Sequence, residues 1–347
     1  MKKIFTLIVL AALVSAKASA QNSNDGINDL FKGGPGDVNK LLNAYTNPLF
    51  KGFGNSLNGG WTNTAKTLKT LRFNLRISAS ASIVPNSDKT YDVAKLGLSS
   101  NITSSSPSIA PTFGGDKDAA TPSITYTDQT TGGKYTTALP KGVVQYIPAP
   151  QVQLTVGLIK NTDVSLRFIP TTKLSDDIGS LGLFGIGLKH NFSEDFGAAG
   201  HVMPFDLALA IGYSRLDYEK PMDVRKDDNV VIPGQSLQGH FSGWSAQAIL
   251  SKKLLFFTPF VSVGYLASST DVGLKGNFPF VTGVNFATNK PTYTNYADPI
   301  SISGSAASTS SMRADVGFQV SLFFLKLYGS YSFAEYQSGN VGIGLGF

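Results

Sequence analysis

The stretch GNVGIGLGF at residues 339–347 decides the fold of this sequence. Successive side chains of a strand point to opposite faces, so Val341, Ile343 and Leu345 share one face and glycines occupy the other. A soluble sheet rarely exposes a strand whose outer face is wholly apolar, although an ordinary edge strand is the alternative. A transmembrane β-barrel needs such a strand, because lipid-facing and lumen-facing residues alternate along it. The stretch therefore predicts an all-β fold, an antiparallel transmembrane β-barrel.

Both ends of the sequence carry features of an exported protein. Two lysines, an apolar run over residues 4–14 and a small-residue motif ending at Ala20 predict a cleaved signal peptide over residues 1–20. The apolar run is too short to cross a bilayer as a helix. Phe347, an aromatic residue on an amphipathic last strand, resembles the insertion signal of Gram-negative outer-membrane proteins. We therefore expect location in the cell outer membrane, with outer-membrane lipid and the barrel-assembly machinery as partners.

The composition fits a barrel better than an α/β enzyme. The 347 residues include 36 Gly, 23 Phe and 13 Tyr, a mixture typical of short strands, turns and aromatic girdles. No apolar run of about 18 residues follows the signal peptide, which excludes a helical inner-membrane protein. The sequence has no Cys, so disulfides, thiolate metal sites and a lipoprotein anchor are excluded. The net charge of +6 comes from scattered Lys and Arg residues, which argues against a nucleic-acid partner.

A short helical region precedes the first strand, within a leader and helical segment over residues 21–60. Apolar residues at helical spacing predict one amphipathic helix before Asn47, and Asn47-Pro48 reads as the N-cap and first position of a second. Such a segment plugs the barrel lumen, lies beneath the periplasmic mouth or anchors at the membrane surface, and all three remain open. The candidate plug residues are Val38, Leu41, Leu42, Tyr45, Phe50 and Phe53.

Ten alternating segments follow, the first at residues 71–84, within a barrel domain over residues 61–347. With the first strand entering from the periplasm, the connections 160–162, 192–204, 251–256 and 323–325 fall on the periplasmic side. The connections 85–148, 172–180, 220–235 and 269–307 then fall outside. Most periplasmic connections are short and most outer ones long, the asymmetry expected of such barrels. Extra hairpins inside 85–148 or 269–307 would raise the strand number to 12 or 14.

Charged residues on the inward faces of these strands give the best information about mechanism. The candidate lumen-lining residues are Arg72, Arg76, Asp163, Arg167, Lys189, Asp206, Arg313 and Asp315. Unpaired charges in a narrow lumen are costly, so they need partners or water. Because the lumen is polar, apolar contacts with a plug are expected at strand ends, near Ile169, Leu266 and Phe323.

Two functions are compatible with these features. In the first, the charges surround a plug-gated path through which the barrel transports small solutes or amphipathic molecules. In the second, the charges pair with one another and with the plug, and the protein is a non-conducting structural or surface-interaction barrel that acts through its extracellular loops.

Catalytic and metal sites are not predicted. His190, His201 and His240 lie far apart in the sequence, whereas a metal site requires clustered ligands. His240 and Ser242 share one strand face, as the serine and histidine of a hydrolase would, but we interpret both as polar lumen lining near the extracellular rim. The acidic pairs at 176–177 and 227–228 read as solvated loop carboxylates. We therefore expect no enzyme activity and no metal or other cofactor.

Several stretches carry a resemblance to a known family: NPLFKGFG at residues 47–54, IPAPQVQLTVG at 147–157 and RFIP at 167–170. From about residue 36 onward, the sequence resembles an uncharacterised group of Bacteroidetes-type outer-membrane β-barrel proteins. The resemblance implies a barrel in the outer membrane and no assigned chemistry. A helical segment before the barrel is also similar in layout to the FadL fatty-acid transporters, an analogy at the level of the fold.

Overall fold

The computed structural model describes residues 34–129, 132–175, 178–196, 203–226, 230–285, 290–303 and 308–346. The predicted signal peptide, most of the leader, His201, the two acidic pairs and Phe347 lie outside the described residues.

The described chain contains one α-helix, α1 (Pro35–Leu57), and strands of three kinds. The barrel strands are β1 (Phe73–Ile83), β7 (Tyr146–Gly157), β8 (Thr162–Ser175), β9 (Gly179–Asn191), β10 (Asp206–Lys226), β11 (Val230–Ser251), β12 (Phe257–Lys275), β16 (Thr309–Leu322), β17 (Leu325–Phe333) and β18 (Ser338–Gly346). Short strands between β1 and β7 are β2 (Thr90–Asp92), β3 (Ile102–Ser104), β4 (Ile109–Pro111), β5 (Ser123–Thr127) and β6 (Lys134–Ala138). Those after β12 are β13 (Asn277–Asn285), β14 (Lys290–Ala297) and β15 (Ser301–Ile302), and 3-10 turns lie at Asn86–Asp88, Val93–Lys95 and Ser193–Phe196.

The barrel closes where its first and last strands pair. β1 is antiparallel to both β18 and β7, and Ile77 lies opposite Ile343 on one side and Val152 on the other. Each of the remaining barrel strands pairs with its neighbours in chain order. The predicted ten-stranded antiparallel barrel is therefore confirmed. A closed ladder satisfies the backbone hydrogen bonds of every strand, the condition for a sheet in lipid.

The outer face of the wall carries an apolar belt with an aromatic border. Along β10 the outward side chains Leu209 and Ile211 are more than half exposed. The belt ends at a girdle in which the rings of Trp244 and Tyr265 lie 5.5 Å apart. Beyond the girdle the outward residues of β10 are charged, beginning with Arg215. This sequence of lipid-compatible belt, aromatic border and charge is the surface of a transmembrane barrel. No helix in the described part of the chain combines the length and hydropathy needed to cross a membrane.

Long connections at one end of the barrel fold into structure of their own. Residues 84–145, here named the platform, contain two small sheets, β2-β4 and β3-β5-β6. Their shared core includes Val93, Ala110 and Ile124, together with Leu41 from α1. After β12, the hairpin β13-β14 and the short β15 extend the same end. We name this the long-loop end, and the opposite end the short-turn end.

Two expected loops at the long-loop end are mostly strand. β8 and β9 leave only residues 176–178 between them, and β10 and β11 leave only 227–229, so the expected loops at 172–180 and 220–235 are wrong in extent. β10 and β11 have 21 and 22 residues, about twice what crosses a membrane with tilt. The paired backbones continue their hydrogen-bond ladder beyond the membrane, which a search for apolar alternation does not detect.

The helical region is a single helix. α1 runs through Pro48, so the predicted break at Asn47-Pro48 is wrong. Proline removes one backbone hydrogen bond and crowds the preceding turn, which normally kinks or ends a helix. Here both halves are held by packing, the first by the platform through Leu41 and the second by the barrel through Leu57. Tertiary packing thus outweighs the local preference.

Candidate functional site: the plugged lumen

Residues 35–70, here named the plug, thread the barrel from one end to the other. Near the start of α1, the side chain of Asn39 donates to the carbonyl of Pro299 at 2.9 Å and accepts from the amide of Ser301 at 2.9 Å, both at the long-loop end. Ala65 reaches Ser251 at the short-turn end, where its amide donates to the hydroxyl at 2.9 Å. The structure therefore places residues 61–65 in the lumen after the helix and residues 66–70 at its short-turn mouth, and the barrel wall begins only at β1.

Small residues on the inner wall leave space for the largest side chain of the plug. A Cβ atom on Gly187 would lie 2.8 Å from the ring of Trp61, and one on Gly212 would lie 2.5 Å from it. Trp61 is only 5% exposed. Glycine at these positions is therefore a packing requirement, since any side chain would displace the indole.

Arg167 holds the C-terminal end of the helix. Its guanidinium donates to the carbonyls of Leu57 at 2.8 Å and Gly59 at 2.9 Å, and to the side chain of Gln153 at 3.0 Å. It also stacks on the ring of Trp61 at 3.7 Å, and it is fully buried. A cation at this position stabilises the last carbonyls of a helix, which lack partners within the helix and carry the negative end of its dipole.

Arg76 holds the turn that follows the helix. Its Nη2 donates to the carbonyl of Gly60, to that of Trp61 at 3.3 Å and to the side chain of Gln153 at 2.8 Å. Gln153 in turn donates to the carbonyl of Trp61 at 3.1 Å. Register explains the convergence, because Arg76, Gln153 and Arg167 lie directly opposite one another on three adjacent strands.

A buried ion pair holds the next part of the plug. Lys189 and Asp163 are 3.0 Å apart. Lys189 also donates to the carbonyls of Thr64 at 3.2 Å and Lys66 at 2.7 Å, and Asp163 accepts from the amide of Leu68 at 2.9 Å. These wall charges are thus satisfied by each other and by plug backbone, the arrangement that makes a buried charge tolerable.

Within the described residues, the side chains of the other predicted lumen charges have partners outside the plug or are exposed. Arg313 binds Asp315 through two hydrogen bonds of 3.1 and 2.7 Å, and Asp315 also accepts from Ser262 at 2.6 Å, so this network lies within the wall. Asp206 is half-buried near the short-turn end, 3.4 Å from the side-chain nitrogen of Asn191. Arg72 is exposed at the same end.

The apolar plug residues are divided between platform and lumen. Leu41 joins the platform core, Tyr45 packs edge-on against Phe113, and Phe53 packs against Phe241 of the inner wall with ring centroids 4.9 Å apart. Burial raises the pKa of Tyr45 to about 12. The remaining members of the set are Val38 (buried), Leu42 (half-buried) and Phe50 (buried against Ile302).

Of the three strand-end residues expected to meet the plug, two face the interior. Leu266 is buried, and Ile169 packs against the cluster that contains Leu57. Phe323 is fully exposed in the turn between β16 and β17, where it lines the open mouth of the lumen without packing against the plug. Its positive φ of 54° belongs to this tight turn.

The histidines form no common site among the described residues. His190 lies 2.8 Å from Asp195 and 2.9 Å from Thr162, whereas His240 lies 2.6 Å from Asp217. Within the described ranges, no three His, Asp or Glu side chains cluster so as to hold a metal ion. The interpretation of His240 as lumen lining is wrong. Its neighbour Phe241 faces inward against the plug, so His240 faces outward beyond the girdle.

Sequence reasoning missed the polar residues that hold the plug without carrying charge. Gln151 donates to the carbonyls of Ser56 at 2.8 Å and Leu57 at 3.3 Å, and the hydroxyl of Ser56 contacts that of Ser82 at 2.7 Å. Glutamines alternating with valine and leucine in β7 indicate an inner face. The sequence does not indicate which backbone groups they bind.

A cavity of about 450 Å³, here named the vestibule, opens at the short-turn end. The plug forms its roof through residues such as Trp61 and Thr64, and the wall forms its sides. Above it the lumen is occupied by the helix, the Arg167 cluster and apolar packing around Leu57.

Comparison with known proteins identifies a family but no activity. The sequence matches, over residues 1–347, the family described as "Family of unknown function (DUF6588)". The chain belongs to the DUF6588 family. This agrees with the expected absence of assigned chemistry, while the Bacteroidetes-type origin stays a prediction. No curated protein matches this DUF6588 chain.

Solved structures similar to the DUF6588 chain have diverse descriptions. Ail of Yersinia pestis, an attachment invasion locus protein in complex with the heparin analogue sucrose octasulfate, is 9% identical with a TM-score of 0.25, covering 80% of this chain and 98% of its own. The translocator domain of the autotransporter NalP from Neisseria meningitidis is 12% identical with a TM-score of 0.27, and the match covers 84% of this chain and 91% of that one. The Ralstonia pickettii toluene transporter TbuX is 8% identical with a TM-score of 0.22, and the match covers 85% of this chain and 97% of that one. At these values none indicates a function for DUF6588.

Proposed function

We propose that this protein is a non-conducting outer-membrane barrel that displays the platform on the outer face of the cell. One observation carries the proposal: the polar side chains of the inner wall bind the backbone of the plug. Arg76, Arg167 and Lys189 each donate hydrogen bonds to plug carbonyls. In an open path the same charges would face water or solute.

The plug is also continuous with the platform, which supports a structural role for it. Leu41 lies in the platform core. Lys51, further along the helix, is 3.7 Å from Asp88 of the platform, and Asp88 accepts a hydrogen bond of 2.5 Å from Tyr336 in the β17-β18 connection. Movement of the helix would therefore break the platform core as well as the lumen contacts.

The orientation follows from the two ends of the barrel. Long connections of outer-membrane barrels lie outside and short turns lie in the periplasm. On this basis the platform and the start of α1 face outward, and the vestibule faces the periplasm. Export by the predicted signal peptide at residues 1–20, and insertion by the barrel-assembly machinery into outer-membrane lipid, are part of this proposal.

Cysteine labelling tests the display. Because the chain has no Cys, a single introduced cysteine is the only thiol. Lys117→Cys lies at an exposed position of the platform, and Lys253→Cys lies at the short-turn end. A membrane-impermeant maleimide added to intact cells should label the first variant only, and both after lysis. Labelling of Lys253→Cys alone on intact cells would refute the orientation.

Solute flux separates the two candidate functions. Proteoliposomes containing the full-length protein should not swell in small sugars or amino acids, and an open porin in the same lipid serves as the positive control. Swelling at a rate that depends on the amount of protein would instead favour the plug-gated channel or transporter for small or amphipathic molecules.

A further inference from the structure

The vestibule concentrates the positive charge of the molecule. Its basic lining residues are Lys66, Lys69, Arg72, Arg76, Lys189, Lys253 and Lys326. The one carboxylate in the lining, Asp163, is already engaged by Lys189 at 3.0 Å and by the amide of Leu68 at 2.9 Å. Seven cations against one carboxylate leave a surplus of six charges, equal to the formal net charge of the entire sequence.

Most of these cations have no acidic partner. Within the described part of the chain, Lys66, Lys69, Arg72, Lys253 and Lys326 form no ion pair. Like charges that surround a confined space raise the local potential, which attracts anions and increases their rate of entry. Basic residues scattered over a surface would not line a common cavity, whereas these residues all line the vestibule.

Two almost fully buried side chains with N–H groups lie at the inner end of the cavity. Arg76 is 4% exposed and lines the vestibule, and its Nε is buried without a hydrogen-bond partner among the described residues. The buried Nε1 of Trp61, in the same lining, is likewise unpartnered within the described chain. Both atoms are N–H donors that add positive partial charge at the inner end of the cavity, although each is itself buried away from its open space.

We propose that the vestibule binds a soluble anion carrying two or more charges on phosphate or sulfate oxygens. Arginine and lysine side chains are the usual protein partners of such groups. The volume of about 450 Å³ lies within the range of small-molecule sites, so it accepts a diphosphate or a small phosphorylated metabolite. The lumen above is occupied by the plug, so binding takes place from the short-turn end without passage through the barrel. This adds a ligand site at the short-turn end to the proposed display function, and the binding itself does not depend on that function.

The test uses inorganic pyrophosphate as the probe and the full-length protein in phosphatidylcholine bilayers. Titration calorimetry should detect saturable binding of pyrophosphate, weaker binding of phosphate and none of acetate at matched ionic strength. Lys253→Gln should weaken pyrophosphate binding about tenfold, since it removes one charge of the lining. Lys252→Gln is the matched control, because Lys252 is its exposed neighbour and does not line the vestibule.

Three results would overturn the proposal. The first is the absence of saturable pyrophosphate binding. The second is an equal loss with Lys252→Gln and Lys253→Gln, which would mean attraction by the basic surface as a whole. The third concerns the source of the anion. If bilayers of phosphatidylglycerol abolish pyrophosphate binding at matched ionic strength, a lipid headgroup occupies the site and the soluble ligand is excluded. Unchanged affinity in phosphatidylglycerol supports the soluble anion.

Discussion

Replacing Arg167 by Met removes the cation that holds the end of the helix while keeping a side chain of similar length. The carbonyl of Gly59 loses its donor, and that of Leu57 keeps only the 3.3 Å bond from Gln151. A buried carbonyl left unpaired costs about 1–3 kcal/mol. Loss of the stacking on Trp61 adds to this, whereas relief from burying a charge subtracts. We expect the free energy of unfolding to fall by about 2–4 kcal/mol.

The plug contains a natural reporter for this experiment. The chain has two tryptophans, Trp61 in the plug and Trp244 in the outer belt, which are 5% and 47% exposed. In a Trp244→Phe background, tryptophan emission during denaturant unfolding in lipid vesicles reports on the plug alone. Arg167→Met should shift the emission of Trp61 to longer wavelength before unfolding and lower the transition midpoint.

Two other arginines serve as controls. Arg215→Met removes an exposed ion pair on the outer face, and should cost less than about 1 kcal/mol. Arg313→Met breaks a buried network within the wall, so it should destabilise the barrel without changing the emission of folded Trp61. An Arg167→Met protein with unchanged Trp61 emission and wild-type stability would show that the wall arginine does not hold the plug.

Three further outcomes follow from the same geometry. Gly212→Val places side-chain atoms where the Trp61 ring lies, so it should lower the free energy of unfolding by about 1–3 kcal/mol and shift Trp61 emission. Gly339→Ala adds a Cβ in open space and should change neither quantity. Equal effects of the two variants would contradict the packing. Ile343→Arg puts a charge in the middle of the apolar belt and should lower the free energy of unfolding from lipid by about 2–4 kcal/mol. Leu71→Arg, near the short-turn end, should lower it by about 1 kcal/mol or less. The reverse order would mean that the belt is misplaced. The raised pKa of Tyr45 means that folding stabilises its neutral form, so its contribution to stability is complete below pH 10.0 and lost as pH rises through about 12. Burial also raises the pKa of Tyr91 and Tyr336, so titration of phenolate absorbance should show several late tyrosines, and Tyr45→Phe should remove the component near pH 12.

The wall of the barrel was predictable because its signal is local. Period-2 alternation places Arg76, Arg167 and Arg313 on inner faces whatever the pairing of the strands, and closure at Ile343 follows from counting segments. The positions of side chains in turns cannot be predicted from this alternation. Phe323 reads as one more alternating apolar residue, but it lies in a tight turn with a positive φ and is fully exposed.

The plug was only partly predictable because its partners are backbone groups. The sequence indicates that inward cations need partners, and acidic side chains are the partners that can be recognised in a sequence. For Arg167 and Lys189 the acceptors are mostly carbonyls of residues 57–66, and any residue type carries a carbonyl. The path of the helix through Pro48 depends on packing at both ends and is equally invisible to propensity.

Ion conductance of the full-length protein in planar bilayers tests the central claim, that residues 35–70 close the lumen. A double variant, Ser56→Cys with Ser82→Cys, supplies the control for movement, because the two hydroxyls are 2.7 Å apart and link plug to wall. We predict no channel steps for the wild-type protein, and none for the double variant whether oxidised or reduced. Regular channel steps in the wild-type protein that disappear on oxidation of the double variant and return on reduction would contradict the account and show a plug that opens.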